Sequence, residues 1–80
     1  MDRATIELHL ASAEEHVALG ADTVERQREI IAKLAHEGHD PFEARRMLVY
    51  FEEQLTMHIA ERDRLKKELA EISTCIIVHK

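Results

Sequence analysis

The six residues His36 to Pro41 read HEGHDP, and the fold turns on how they are read. Two histidines and two carboxylates this close together are the donor types of a metal site. They are also the residue types that stop one helix and start another. Gly38 accepts the left-handed conformation that ends helices at low steric cost. Asp40 is a good N-cap, Pro41 suits the first helical position, and Glu43 completes a capping-box spacing. A metal needs three or four converging ligands, and His36, Glu37, His39 and Asp40 would have to supply them from a backbone already committed to turning. The turn is the reading adopted. No metal or cofactor is expected, and His36, His39 and His58 remain the weakly supported metal candidates.

Outward from this turn, both flanks carry a helical repeat. Before it, Ile6, Leu10, Ala13, Val17, Gly20, Val24, Gln27, Ile31 and Leu34 alternate in steps of four and three. After it, Ala44, Leu48, Phe51, Leu55, His58, Arg62, Leu65, Leu69 and Ile72 do the same. Such spacing is a heptad seam. The spacing predicts a helix over about 4–37, a turn at 38–40 and a helix over about 41–72. A tail follows at 73–80, whose β-branched residues disfavour helix. A connection this short makes the helices antiparallel neighbours. Matching the seams outward pairs Leu34 with Ala44 and Ile6 with Ile72 without a slip, and sets Ala13 against Leu65 and Gly20 against His58.

Composition agrees with an all-α chain and a single domain. Among 80 residues, 45% are apolar and 34% charged, with two glycines, one proline and no tryptophan. Eleven basic against sixteen acidic side chains give a formal charge of −5, a field that disfavours nonspecific binding to nucleic acid or anionic lipid. Cys75 is the lone cysteine and offers no internal disulfide. The opening MDRATIELHL lacks the apolar region of a signal peptide, and no apolar run approaches the roughly 20 residues that span a bilayer. A cytoplasmic, membrane-free protein is the expectation.

Few side chains invite chemistry. His58 lies on the seam, where its ring would fill the space left by Gly20 and bond Gln54 or Glu61. Arg62 interrupts the seam near Glu14 and Glu15, which would pair its guanidinium. His9 and His16 are seven residues apart, about 10 Å in rise, too far to share one metal. The clusters Arg26–Arg28, Arg45–Arg46 and Arg62–Lys67 are diluted by acids, and Glu29 with Lys33 and Asp63 with Lys67 have the spacing of exposed ion pairs. There is no Gly-rich phosphate loop, no Cys–His pairing and no carboxylate pair in a visible pocket, so no enzyme is expected. The more informative residues are Met47, Tyr50, Gln54 and Met57, a second stripe beside the seam, with Ile30 near the same end. Two helices cannot bury two adjacent stripes, whereas two hairpins in a four-helix bundle can. A homodimer is therefore the expected state, and an unidentified protein is the other candidate partner for the stripe.

The segments VERQREIIAKL, GHDPFEARRMLVYFEEQLTMH and ERDRLKKEL carry RQR, GHD, LxxFE and RDRL motifs. In these, the chain resembles a family of short uncharacterised helical-hairpin proteins common in alphaproteobacteria, over about Val24 to Leu69. The resemblance implies the hairpin fold and brings no activity. It marks Arg26, Gln27, Arg28, Gly38, His39, Asp40, Phe51, Glu52, His58, Arg62 and Asp63 as residues of shared role. The leading functional expectation is a non-enzymatic, self-associating helical module for protein–protein interaction, regulatory in use. The alternatives are a small helical metal or ligand binder using histidines and, behind it, a nucleic-acid-associated regulator.

Overall fold

The chain forms two helices, α1 (Arg3–His36) and α2 (Phe42–Val78), packed along each other as an all-α hairpin. The computed structural model describes residues 2–78, and their side chains as far as residue 72. The first helix starts one turn ahead of its seam because Asp2 caps it. Its carboxylate accepts the Thr5 N–H at 2.8 Å, and its carbonyl accepts from Ile6 N–H at 3.0 Å. Hydrogen bonding from Thr5 holds the Asp2 carboxyl below its ordinary range. This cap was legible as Asp2 three residues before Thr5, yet the repeat alone pointed to a start near residue 4.

The HEGHDP segment is a turn. Gly38 has φ of +82°, the only positive φ among the described residues. Its N–H bonds Ala35 O at 3.1 Å, and the next N–H, of His39, reaches Leu34 O at 2.9 Å. These two bonds are a Schellman motif, which satisfies carbonyls that the end of α1 leaves open. Asp40 then accepts the Phe42 N–H at 3.0 Å, and Pro41 O accepts the first helical bond of α2 from Arg45. The expected capping-box return from Glu43 is replaced. The Glu43 carboxylate lies 3.6 Å from Arg46, one turn on in its own helix. Asp40→Ala should lower stability by about 0.5–2 kcal/mol, because it leaves the Phe42 N–H without its acceptor. His39→Ala, which removes an exposed ring, should change a denaturant midpoint far less.

The helix α2 also runs further than expected, through Val78 rather than to about Ile72. β-branching costs a helix only a few tenths of a kcal/mol per residue. Extending an existing helix gains a hydrogen bond for each residue fixed, so that cost does not stop it. His79, in the remainder of the tail, lies outside the described residues.

All the seam positions in both helices are buried or half-buried; among the described residues Ile6, Ala13, Val24, Gln27, Ala44 and Leu65 are buried, Ile6 and Leu65 fully so. Each belongs to the seam. Ile6, Ala13 and Leu65 form the core at the end away from the turn, with Leu10, Leu69 and Ile72 packed around them. Near the turn, the buried amide of Gln27 donates to Ala44 O at 2.8 Å, tying α1 to the first turn of α2.

The expected pairing of Gly20 with His58 is not what forms. A Cβ placed on Gly20 would lie 3.2 Å from Leu55 Cδ1 and 3.8 Å from Leu55 Cα, so Leu55 occupies the space over the glycine. The offset between expectation and fact is three residues, about one helical turn. Ion pairs differ too. Arg62 bonds its neighbour Asp63 at 3.0 Å instead of Glu14 or Glu15, and among the described residues Asp63 makes no ion pair with Lys67.

Candidate interaction face

The hairpin is a rod of 66 × 16 × 14 Å, two helices thick and without a third layer. Its radius of gyration is 18.4 Å, against roughly 12 Å for a compact domain of this length. Anything outside the seam therefore meets solvent. Ile30, Met47, Tyr50 and Met57 are all among the exposed large hydrophobic residues, together with Leu8, Leu19, Phe42 and Val49.

The stripe inferred from the repeat divides in space. Met47 and Tyr50 line one hollow with Glu43, Arg46 and Phe51, and the Tyr50 and Phe51 rings meet edge-on at 5.9 Å. Gln54 lies in the adjoining hollow, between the helices. Met57 turns further outward, into a third hollow with Val49, Glu52, Glu53 and Thr56. On α1, His9, His16, Thr23 and Ile30 follow one another every seven residues and so share a side of that helix. The same is true of Met47, Gln54 and Glu61 on α2.

Between these two lines runs a groove. Its middle hollow, about 300 Å³, is lined by His16, Leu19, Gly20, Thr23, Phe51, Gln54 and His58. The small Gly20 lets the helices approach and opens the floor of this hollow. The groove continues away from the turn through His9, Ser12, His16 and Glu61. It is thus apolar toward the turn, bears two imidazoles at its centre and is polar at its far end. There Arg64 bonds both Glu61 and Glu68. The Arg64 hydrogen bond, with the smaller attraction of Arg64 and His9 charge, holds the Glu61 carboxyl below the usual carboxylate range.

His16 is exposed, and its ring lies beside that of His58, with centroids 5.1 Å apart and planes tilted by 44°. Seven-residue spacing within α1 gave no hint of this, because the partner is on α2. The turn histidines His36 and His39 are exposed, and among the described residues no group of three or more His, Cys, Asp or Glu is placed to hold a metal.

Ser12 shares a hollow with His9, His16 and Glu61, the side-chain types of a nucleophilic centre. The geometry does not assemble one. Among the described residues, no hydrogen bond joins Ser12 to either imidazole, and the backbone N–H groups there are spent inside α1, leaving no oxyanion donors.

Several residues of the RQR, LxxFE and RDRL motifs hold the hairpin itself. Gln27 binds Ala44 O, and Arg28 meets Glu52 across the helices at 3.3 Å. Arg26 pairs with Asp22 within α1, and Arg62 with Asp63 within α2, so these two do not tie the helices together. The Arg28–Glu52 pair is about half exposed at both ends, so it contributes at most about 1 kcal/mol.

No helix among the described residues is long and apolar enough to cross a membrane. The chain matches no protein-family model, no curated protein and no solved structure.

Proposed function

We propose that the protein is a non-enzymatic, self-associating interaction module of the cytoplasm. A second copy covers the face bearing Ile30, Met47, Tyr50, Gln54 and Met57, making a four-helix bundle of coiled-coil type. The observation that carries this reading is surface area. The single chain exposes 6120 Å², whereas a compact monomer of 9.3 kDa exposes about 5,000 Å² by the usual scaling. The excess is roughly 1,100 Å², of the order of the roughly 800 Å² that each partner contributes to a standard interface.

A second copy fits the face because its own stripe offers the same Met47, Tyr50 and Met57, with Glu43, Arg46 and Glu53 at the rim, and twofold self-complementary contact is the commonest route to burial. Burying Met47, Tyr50 and Met57 would contribute about 1.5–3 kcal/mol per side chain before association entropy is subtracted. A regulatory role follows the same logic, since a partner helix of another protein would compete for the stripe.

Light scattering coupled to size exclusion should give twice the chain mass of 9.3 kDa. Tyr50→Glu combined with Met57→Glu should give a monomer that is less helical, since charges on the face cannot be buried unpaired. A wild-type monomer at about micromolar concentration, fully helical, would defeat the self-association reading.

A further inference from the structure

We propose that His16 and His58 form a two-histidine site for a zinc-class divalent transition metal, which clasps α1 to α2 at the centre of the groove. The inference stands apart from self-association, because it needs only the two rings of one chain.

The argument begins with distance. Zinc bound to imidazole nitrogen lies about 2.0–2.1 Å away, and a ring centre is about 1.1 Å beyond the nitrogen, so the ion sits about 3.2 Å from each centroid. Two such rings at the tetrahedral angle have centroids about 5.2 Å apart. The observed separation is 5.1 Å. The separation therefore leaves room for one ion bridging a nitrogen of each ring.

Both rings have nitrogen to offer. None of the side-chain hydrogen bonds among the described residues uses either imidazole. His16 is exposed and His58 half-buried, with the adjoining hollow open beside them, which gives an ion an entry path and room for water as its remaining ligands. The two ligands come from different helices and are 42 positions apart in sequence (58 less 16), so chelation closes a loop that includes the whole turn. Hard cations such as magnesium prefer oxygen donors and do not fit a pair of imidazoles.

The test uses tag-free protein with Zn2+, with Co2+ as a spectroscopic stand-in and Mg2+ as control. Titration calorimetry should give saturable Zn2+ binding at one ion per chain. Co2+ should develop the visible bands of a tetrahedral site, and the melting midpoint should rise with Zn2+ but not with Mg2+. His16→Asn and His58→Asn should each weaken binding at least tenfold, while His36→Gln with His39→Gln leaves it unchanged. Exposed His16 can be replaced without disturbing the core, so that variant decides the matter if His58→Asn folds poorly. Absence of saturable binding below millimolar Zn2+, or binding that survives His16→Asn and is lost with the turn histidines, overturns the proposal. Repeating the titration on the Tyr50→Glu, Met57→Glu variant separates this outcome from any failure of the dimer reading.

Discussion

Leu65→Ala should lower the stability of the hairpin by about 2–5 kcal/mol. Leu65 is 1% exposed, the equal of Ile6 as the most buried large side chain, and together with Ala13 they make the core at the open end of the hairpin. Truncation there loses the transfer energy of the side chain and leaves a void. Ala13, its neighbour in that cluster, has no further side chain to swing into the space. A domain this small has a total stability near the bottom of the usual range of about 5–15 kcal/mol, so the loss is a large share of the whole. Even a loss of about 2 kcal/mol lowers the melting midpoint by roughly 8–16 °C in a chain of this length. Circular dichroism melting would measure it. Leu8→Ala, at a side chain 71% exposed, is the control and should shift the midpoint little. If Leu65→Ala melts within a few degrees of wild type, the far ends of α1 and α2 do not pack as described.

Gly20→Leu should cost about 1–3 kcal/mol, although glycine is a poor helix former. The reason is Leu55, whose Cδ1 and Cα would lie 3.2 and 3.8 Å from the first added carbon, so that a branched side chain either displaces Leu55 or turns out into the hollow with its apolar surface in water. Gly20→Ala is a finer test. Its Cβ meets only the end of the Leu55 side chain at 3.2 Å, a group able to yield by a few tenths of an ångström, and it gains up to about 1 kcal/mol of helix propensity. It should therefore be close to neutral. Combining Gly20→Leu with Leu55→Ala exchanges large for small across the seam and should recover part of the loss, with a coupling of about 0.5–3 kcal/mol in urea denaturation. The same swap with His58→Ala should recover none. Rescue by position 58 instead of 55 would restore the pairing that the repeat alone suggests.

That contrast marks where sequence reading stopped. The candidate face was legible in part, since Met47, Tyr50 and Met57 are apolar off the seam and are exposed on the hairpin. Its division into separate hollows was not, because which neighbours wall each hollow depends on how the side chains pack. The His16–His58 contact was wholly hidden. Nothing near either residue in sequence points to the other, and the contact exists only through the axial offset of two helices.

By itself, the sequence determined the helices, the turn and the buried stripe. Each is encoded within a few residues: Gly38 where φ must be positive, Asp40 ahead of a free N–H, and an apolar residue every three or four positions. Only the tertiary structure decided which residues meet across the seam. Sliding one helix along the other by a turn keeps apolar stripe against apolar stripe, so the repeat scores both registers alike. The path through Gly38 to Pro41 sets the height at which α2 departs. Close approach at Gly20 and the Gln27 amide on Ala44 O then hold one register, with Leu55 over the glycine and His58 beside His16.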